Sequence, residues 1–178
     1  MTRPDEKRLQ GPGFPGDDGG VDPAVRMALD AHRDGTGSYA HALGALLGSR
    51  VLVPVVAVLG DVEYDAQGLA HDKTSDMATV LMTGADGRKA LLAFTSMAAL
   101  QAWRPDARPV PVTFRDAARA AVQEQADAIV LDVAGPVVFP VEVDDLRAAA
   151  SGYRLAWVGD RSAWVSAGEL DPSETPSD

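Results

Sequence analysis

A chain of 178 residues, 46% of them hydrophobic, is long enough for one domain with a real core. Its formal net charge is −10 and its arginines and lysines are scattered, which argues against non-specific attachment to nucleic acid or anionic membrane, since both need a positive field. The absence of cysteine excludes disulfides, thiolate zinc sites, iron–sulfur clusters and thiol catalysis.

Residues 1–20 carry Gly, Pro and charge with little to bury, and read as a disordered tail without an apolar signal segment. Asp22 and Pro23 read as the N-cap and first position of a helix that runs to about Asp34 and stops at Gly35. Val25 and Leu29 give it only a thin apolar stripe, so residues 21–37 form a peripheral helix and linker. Ser38 caps a second helix, Tyr39 to Leu47, closed by Gly48. Val51 to Leu59 is aliphatic and β-branched, a strand buried on both faces with Pro54 expected at an edge or bulge. This apolar run is far shorter than the roughly 20 residues of a membrane span. Asp61 to Lys73 is a polar loop with weak strand character around Val62 to Tyr64.

Met77 to Phe94 reads as a β-hairpin, with Gly84 to Gly87 supplying the turn. If that loop has four residues, Thr83 pairs with Arg88 and Met77 faces Phe94. The same register sets Asp76 opposite Thr95 and Ser75 opposite Ser96. Lys73, Thr74, Ser75 and Asp76 then stand beside Thr95 and Ser96 at the open end, the best candidate for a ligand-binding cluster.

Beyond the hairpin, Thr95 or Ser96 caps a short helix through about Trp103. Pro105 and Pro109 lead into an extended Val110 to Val112. Thr113 with Asp116 resembles a capping box for a helix to about Gln125, whose inward face is Ala117, Ala121 and Val122. Ala128 to Val133 is another buried strand, Gly135-Pro136 a turn, Val137 to Phe139 a returning strand and Asp144 to Ala150 a helix. Tyr153 to Val158 and Arg161 to Val165 suit a hairpin around Gly159-Asp160. Residues 38–150 thus form a core domain, 151–168 add C-terminal strands, and 169–178 read as a disordered acidic tail. The imperfect alternation of strands and helices predicts a single α/β domain, or α+β, with a mixed β-sheet and packed helices.

The candidate cluster has two readings. In one, Asp76, Thr74 and Ser75 satisfy the free backbone N–H groups at the helix start. In the other, Lys73, Thr95 and Ser96 line a polar pocket for a small anion, a metabolite carboxylate or a partner's acidic chain. A Ser–Lys nucleophile pair would need a neutral Lys73 amine against Ser75 or Ser96 in a desolvated pocket. His32, His41 and His71 lack metal-ligand spacing. His71 and Asp72 near Glu63 and Asp65 fit a solvated acidic loop better than a metal site. No Gly-x-Gly-x-x-Gly, P-loop or Gly-x-Ser-x-Gly motif occurs. Trp103, Trp157 and Trp164 read as packing, though an exposed tryptophan hairpin would form a contact surface.

Leu52-Val-Pro-Val-Val56, Lys73-Thr-Ser-Asp-Met77, Gly87-Arg-Lys-Ala-Leu-Leu-Ala-Phe-Thr-Ser96, Trp103, Arg108-Pro-Val-Pro-Val112 and Ala134-Gly-Pro136 follow one another in an ordered set. In that set, from about Ser38 to Ala150, the chain resembles the SseB-family N-terminal domain, the enhanced-serine-sensitivity group. The resemblance implies a small bacterial, cytoplasmic α/β domain and supplies no catalytic residue. The expectation is a non-enzymatic binding or protein-interaction module with no metal or cofactor, acting through a protein partner, self-association or a small metabolite. The alternative is a metabolite-binding or hydrolytic domain using the Lys73–Asp76 and Thr95–Ser96 cluster.

Overall fold

The computed structural model describes residues 13–57, 63–64, 70–71, 77–159 and 161–166. In chain order the elements are α1 (Pro23–Arg33), α2 (Tyr39–Leu47), β1 (Arg50–Ala57), β2 (Glu63–Tyr64), β3 (Ala70–His71), β4 (Met77–Thr79), β5 (Leu81–Thr83) and β6 (Lys89–Ala93). There follow α3 (Met97–Trp103), β7 (Arg108–Thr113), α4 (Phe114–Gln123), β8 (Ala128–Leu131), β9 (Phe139–Glu142), α5 (Val143–Ala150), β10 (Arg154–Val158) and β11 (Arg161–Val165).

This is a mixed α/β fold. Antiparallel β4-β1-β7 meets the sheet β5-β6-β8-β9, in which β6 and β8 run parallel and the outer pairs antiparallel. A single bridge joins the two sheets: Leu52 and Phe94 exchange both backbone hydrogen bonds at 2.8 Å. One sheet face packs Leu91, Ile129, Val141 and Phe139 against the helices α1, α2, α4 and α5. On the other face Leu52, Leu92 and Phe94 pack against Ala99 and Leu100 of α3. Burying both faces explains the near-continuous apolar strands.

Helices α1 to α4 start where a side chain can cap them, whereas α5 has no side-chain cap. Asp22, Ser38, Ser96 and Thr113 each accept a hydrogen bond from a first-turn N–H. At α4 the Thr113 hydroxyl donates to the Asp116 carboxylate at 2.6 Å. Thin though its stripe is, α1 is anchored, because Val25 and Leu29 are buried in the larger core.

Three expectations change. Pro54 lies in a central strand, not at an edge. Leu52 spends its N–H and C=O on Phe94, so even-numbered residues of β1 face away from β7. The missing N–H of Pro54 therefore falls beside Val80, at the break between β4 and β5, and its carbonyl accepts from Val80 N at 3.4 Å. Pro109 and Pro111 point their missing N–H outward along the edge strand β7, which blunts it against further pairing.

The hairpin register is also one residue off. Thr83 pairs with Lys89, not Arg88, and Leu81 with Leu91. Gly84 donates to the Arg88 carbonyl, and a turn from Gly84 to Gly87 ends with Gly87 at φ +82°. That is a three-residue loop, Ala85 to Gly87, whose last residue is the left-handed glycine of a bulge, and the bulge shifts the pairing by one.

The hairpin is shorter than expected as well. Past Val80 the chain leaves β6: Met77 pairs with Ala57 on β1, whereas Phe94 bridges Leu52. Those two partners are five positions apart on β1, roughly 16 Å at strand rise. Met77 therefore does not face Phe94; the predicted opposition of Asp76 and Thr95 lies outside the described residues.

Candidate functional site

The chain from β6 into α3 places Thr95 and Ser96. Thr95 is buried at the end of the sheet, and its polar atoms need partners there. Asp132, immediately after β8, supplies them. Thr95 N donates to Asp132 Oδ1 at 2.8 Å and Thr95 Oγ1 donates to Oδ2 at 2.6 Å. Asp132 itself is only 3% exposed and sits at φ +50°, a left-handed conformation uncommon outside glycine. The following loop folds back so that Gly135 N donates to the Asp132 carbonyl at 2.7 Å. A Cβ at Gly135 would stand 2.8 Å from Asp132 Cβ, so only glycine closes this turn without displacement.

Burial pushes the Asp132 carboxyl above its ordinary pKa; the two Thr95 donors and the charge of Arg26 act the other way. Ser96 uses its hydroxyl oxygen to accept Ala99 N at 3.2 Å, and Met97 N donates to the Gly19 carbonyl at 2.8 Å. Arg50 straps this corner down, donating to the carbonyls of Thr95 and Gly20 and to Asp17 Oδ1 at 2.6 Å. The Gly19 N–H, then Arg50, hold the Asp17 carboxyl below its usual range.

Beside this corner is a cleft of about 280 Å³. Its floor and rim carry Thr95, Ser96 and Asp132; α1 contributes Arg26, Leu29 and Asp30. Ala99, Ala102 and Val137 add apolar wall. It lies beyond the carboxyl ends of the parallel strands β6 and β8, where open α/β sheets characteristically bind ligands. Asp30 is paired with Arg33 at 2.8 Å. Arg26 is exposed and has no hydrogen-bond or ion-pair partner among the described residues.

Of the predicted site residues, Thr95 and Ser96 lie in this cleft, while Lys73, Thr74, Ser75 and Asp76 fall outside the described residues. Asp132, Arg26 and Asp30 were not anticipated. Asp132 had one sequence signal, a carboxylate that ends an otherwise apolar strand just before Gly135-Pro136; Arg26 and Asp30 share one helix face at four-residue spacing. β2 and β3 pair Glu63 with His71 along the backbone. Among the described residues no group of three or more His, Asp or Glu is placed to hold a metal.

The family-model comparison covers this arrangement. The model of the SseB protein N-terminal domain matches residues 25–148, from α1 through α5. The chain belongs to the SseB family. In this SseB domain the match takes in every element that lines the cleft, α1 included. No curated protein and no solved structure shows a significant match. Among the described residues no helix is long and apolar enough to cross a membrane.

The tryptophans divide. Trp103 packs on Phe94 with ring centroids 5.4 Å apart. Trp164 is half-buried, and its indole N–H donates to Asp145 Oδ1 at 2.9 Å. Asp145 Oδ2 accepts a hydrogen bond from the Tyr39 hydroxyl at 2.8 Å, and burial together with that carboxylate raises the Tyr39 pKa. Trp157 remains 39% exposed, stacked on His41.

Proposed function

We propose that the SseB domain is a non-enzymatic cytoplasmic binding module whose ligand seat is the Asp132 cleft. The observation that carries this reading is the cleft itself: apolar walls, a buried carboxylate at the floor, and at the rim Arg26, whose charge reaches Asp132 but whose guanidinium makes no hydrogen bond or ion pair among the described residues. Such a seat suits a small metabolite with an apolar body and an anionic group for Arg26. The hydrolytic alternative gains less support. The Ser96 hydroxyl oxygen caps α3 by accepting from Ala99 N–H, and no lysine or histidine lines the cleft among the described residues to take its proton.

Thermal-shift and calorimetric titration against small carboxylates and amino acids tests the proposal. At least one compound should raise the melting temperature. Arg26→Ala should abolish that response, and Met27→Ala, a change at the exposed neighbouring position, should preserve it. A response indifferent to Arg26, or none across the panel, would remove this seat.

A further inference from the structure

Three guanidinium groups gather on one face of this acidic protein: Arg115 and Arg119 of α4 and Arg154 of β10. Burial, then the charges of Arg154 and Arg119, hold the half-buried Arg115 below its ordinary pKa. Arg115 donates to the carbonyls of Ala149 and Tyr153, and Arg119 to that of Ala150, so the two close the C-terminal end of α5. Those carbonyls bring only partial negative charge. Arg119 also pairs with Asp116, but Arg115 and Arg154 have no carboxylate partner among the described residues.

Arg115 and Arg154 flank a shallow groove of about 270 Å³, whose apolar surface comes from Leu47, Leu155 and Trp157. No acidic residue lines it among the described residues, and it shares no residue with the Asp132 cleft. The Trp157 ring lies over α2, with Cη2 2.8 Å from where a Gly44 Cβ would stand, so an absent side chain lets the indole form one wall.

We propose that this groove docks an acidic segment of a partner protein, glutamates or aspartates against Arg154 and Arg115 with an aliphatic residue against Trp157. Arg119 has its carboxylate in Asp116, whereas Arg115 and Arg154 repel each other beside the groove, and an acidic side chain seated there would relieve that repulsion. The apolar wall of Leu47, Leu155 and Trp157 calls for an aliphatic side chain, which a peptide carries and a nucleic acid lacks.

Fluorescence anisotropy with a labelled peptide alternating glutamate and leucine, added to the full chain, tests this. Binding should weaken as salt rises, fall at least tenfold in Arg154→Glu and in Trp157→Ala, and largely survive in Arg154→Lys. The lysine–leucine peptide should not bind. Equal affinity for both peptides, or for wild type and Arg154→Glu, overturns the proposal. So does a single-stranded oligonucleotide that displaces the peptide with the same Arg154 dependence. Peptide binding seen only when the chain is cut after Ser166 would assign the groove to the chain's own acidic end and overturn it too.

Discussion

The corner where Thr95 meets Asp132 and the hairpin β10–β11 are held to the domain in opposite ways. At the corner the partners are 37 residues apart and buried, and one of the two bonds uses a backbone N–H. The hairpin is a two-stranded sheet of its own, a unit marginally stable in isolation. Side chains fasten it: the Trp164 indole on Asp145, and Trp157 against His41 and the bare backbone of Gly44. The corner therefore belongs to the cooperative core, and a ligand seat built there has fixed geometry. The hairpin can loosen while the core persists, as an added interaction surface can.

The strongest way to break the comparison is at Asp132. Asp132→Ala leaves the Thr95 N–H and hydroxyl buried without partners, a loss of about 1–3 kcal/mol for each unsatisfied group at most. Chemical denaturation should show one cooperative transition at a lower midpoint, with hairpin and core failing together. Asp132→Asn is the discriminating control. Its oxygen can accept from Thr95 N, its amide can donate to Thr95 Oγ1, and asparagine tolerates the left-handed conformation.

The raised Asp132 pKa gives the sign of the pH dependence. A group whose folded value exceeds its unfolded value adds stability that is complete below the unfolded pKa, about 3.9, and is lost as pH rises through the folded value. Asp132→Asn should thus match or exceed wild type at pH 7 and fall behind it on acidification. Parallel melting midpoints from pH 7 to 4 would show that burial does not act on this carboxyl.

The contrast also explains what the sequence makes legible. Caps at Asp22, Ser38, Ser96 and Thr113 can be read because donor and acceptor lie within one turn of each other. The type and starting point of β1, α4 and β8 follow from short-range apolar pattern, but β8 stops at Leu131 and not at the expected Val133, because Asp132 turns left-handed. The partner of Thr95 is another matter. The polar run ending at Asp76 adjoins Met77 to Phe94 in sequence, and a hairpin continued to its limit makes Asp76 the obvious acceptor. The structure breaks that hairpin at Val80, gives β4 to β1, and delivers Asp132 through a parallel pairing of β6 with β8. Parallel pairing across α3, β7 and α4 leaves no local sign of which strands pair, so the carboxylate after the apolar run of β8 marks Asp132 without naming its partner. In the same way α1, with its thin stripe, reads as peripheral until Arg26 and Asp30 are seen lining the cleft.

A smaller effect should follow at the hairpin. Asp145→Ala removes the acceptor for both Tyr39 and Trp164, costing about 1 kcal/mol per hydrogen bond. Amide hydrogen exchange should accelerate through Arg154–Val158 and Arg161–Val165 while Leu91, Ile129 and Leu131 keep their protection. Uniform acceleration would mean that the hairpin is part of the core's cooperative unit and that the two regions are not separable.

Gly44→Ala should move global stability least, because two terms oppose. Alanine in a helix interior is favoured over glycine by about 1 kcal/mol. Its methyl would collide with Trp157 Cη2 at 2.8 Å, and the indole must lift away. The Trp157 ring is the end of a side chain on a lightly fastened hairpin, so the ring yields and the helix does not. The unfolding free energy should change by less than about 1 kcal/mol, while tryptophan emission shifts to the red as Trp157 gains water. Acidic-peptide affinity should fall together with that shift, since one groove wall has moved. A variant with unchanged emission and full peptide affinity would show that Gly44 does not set the position of Trp157.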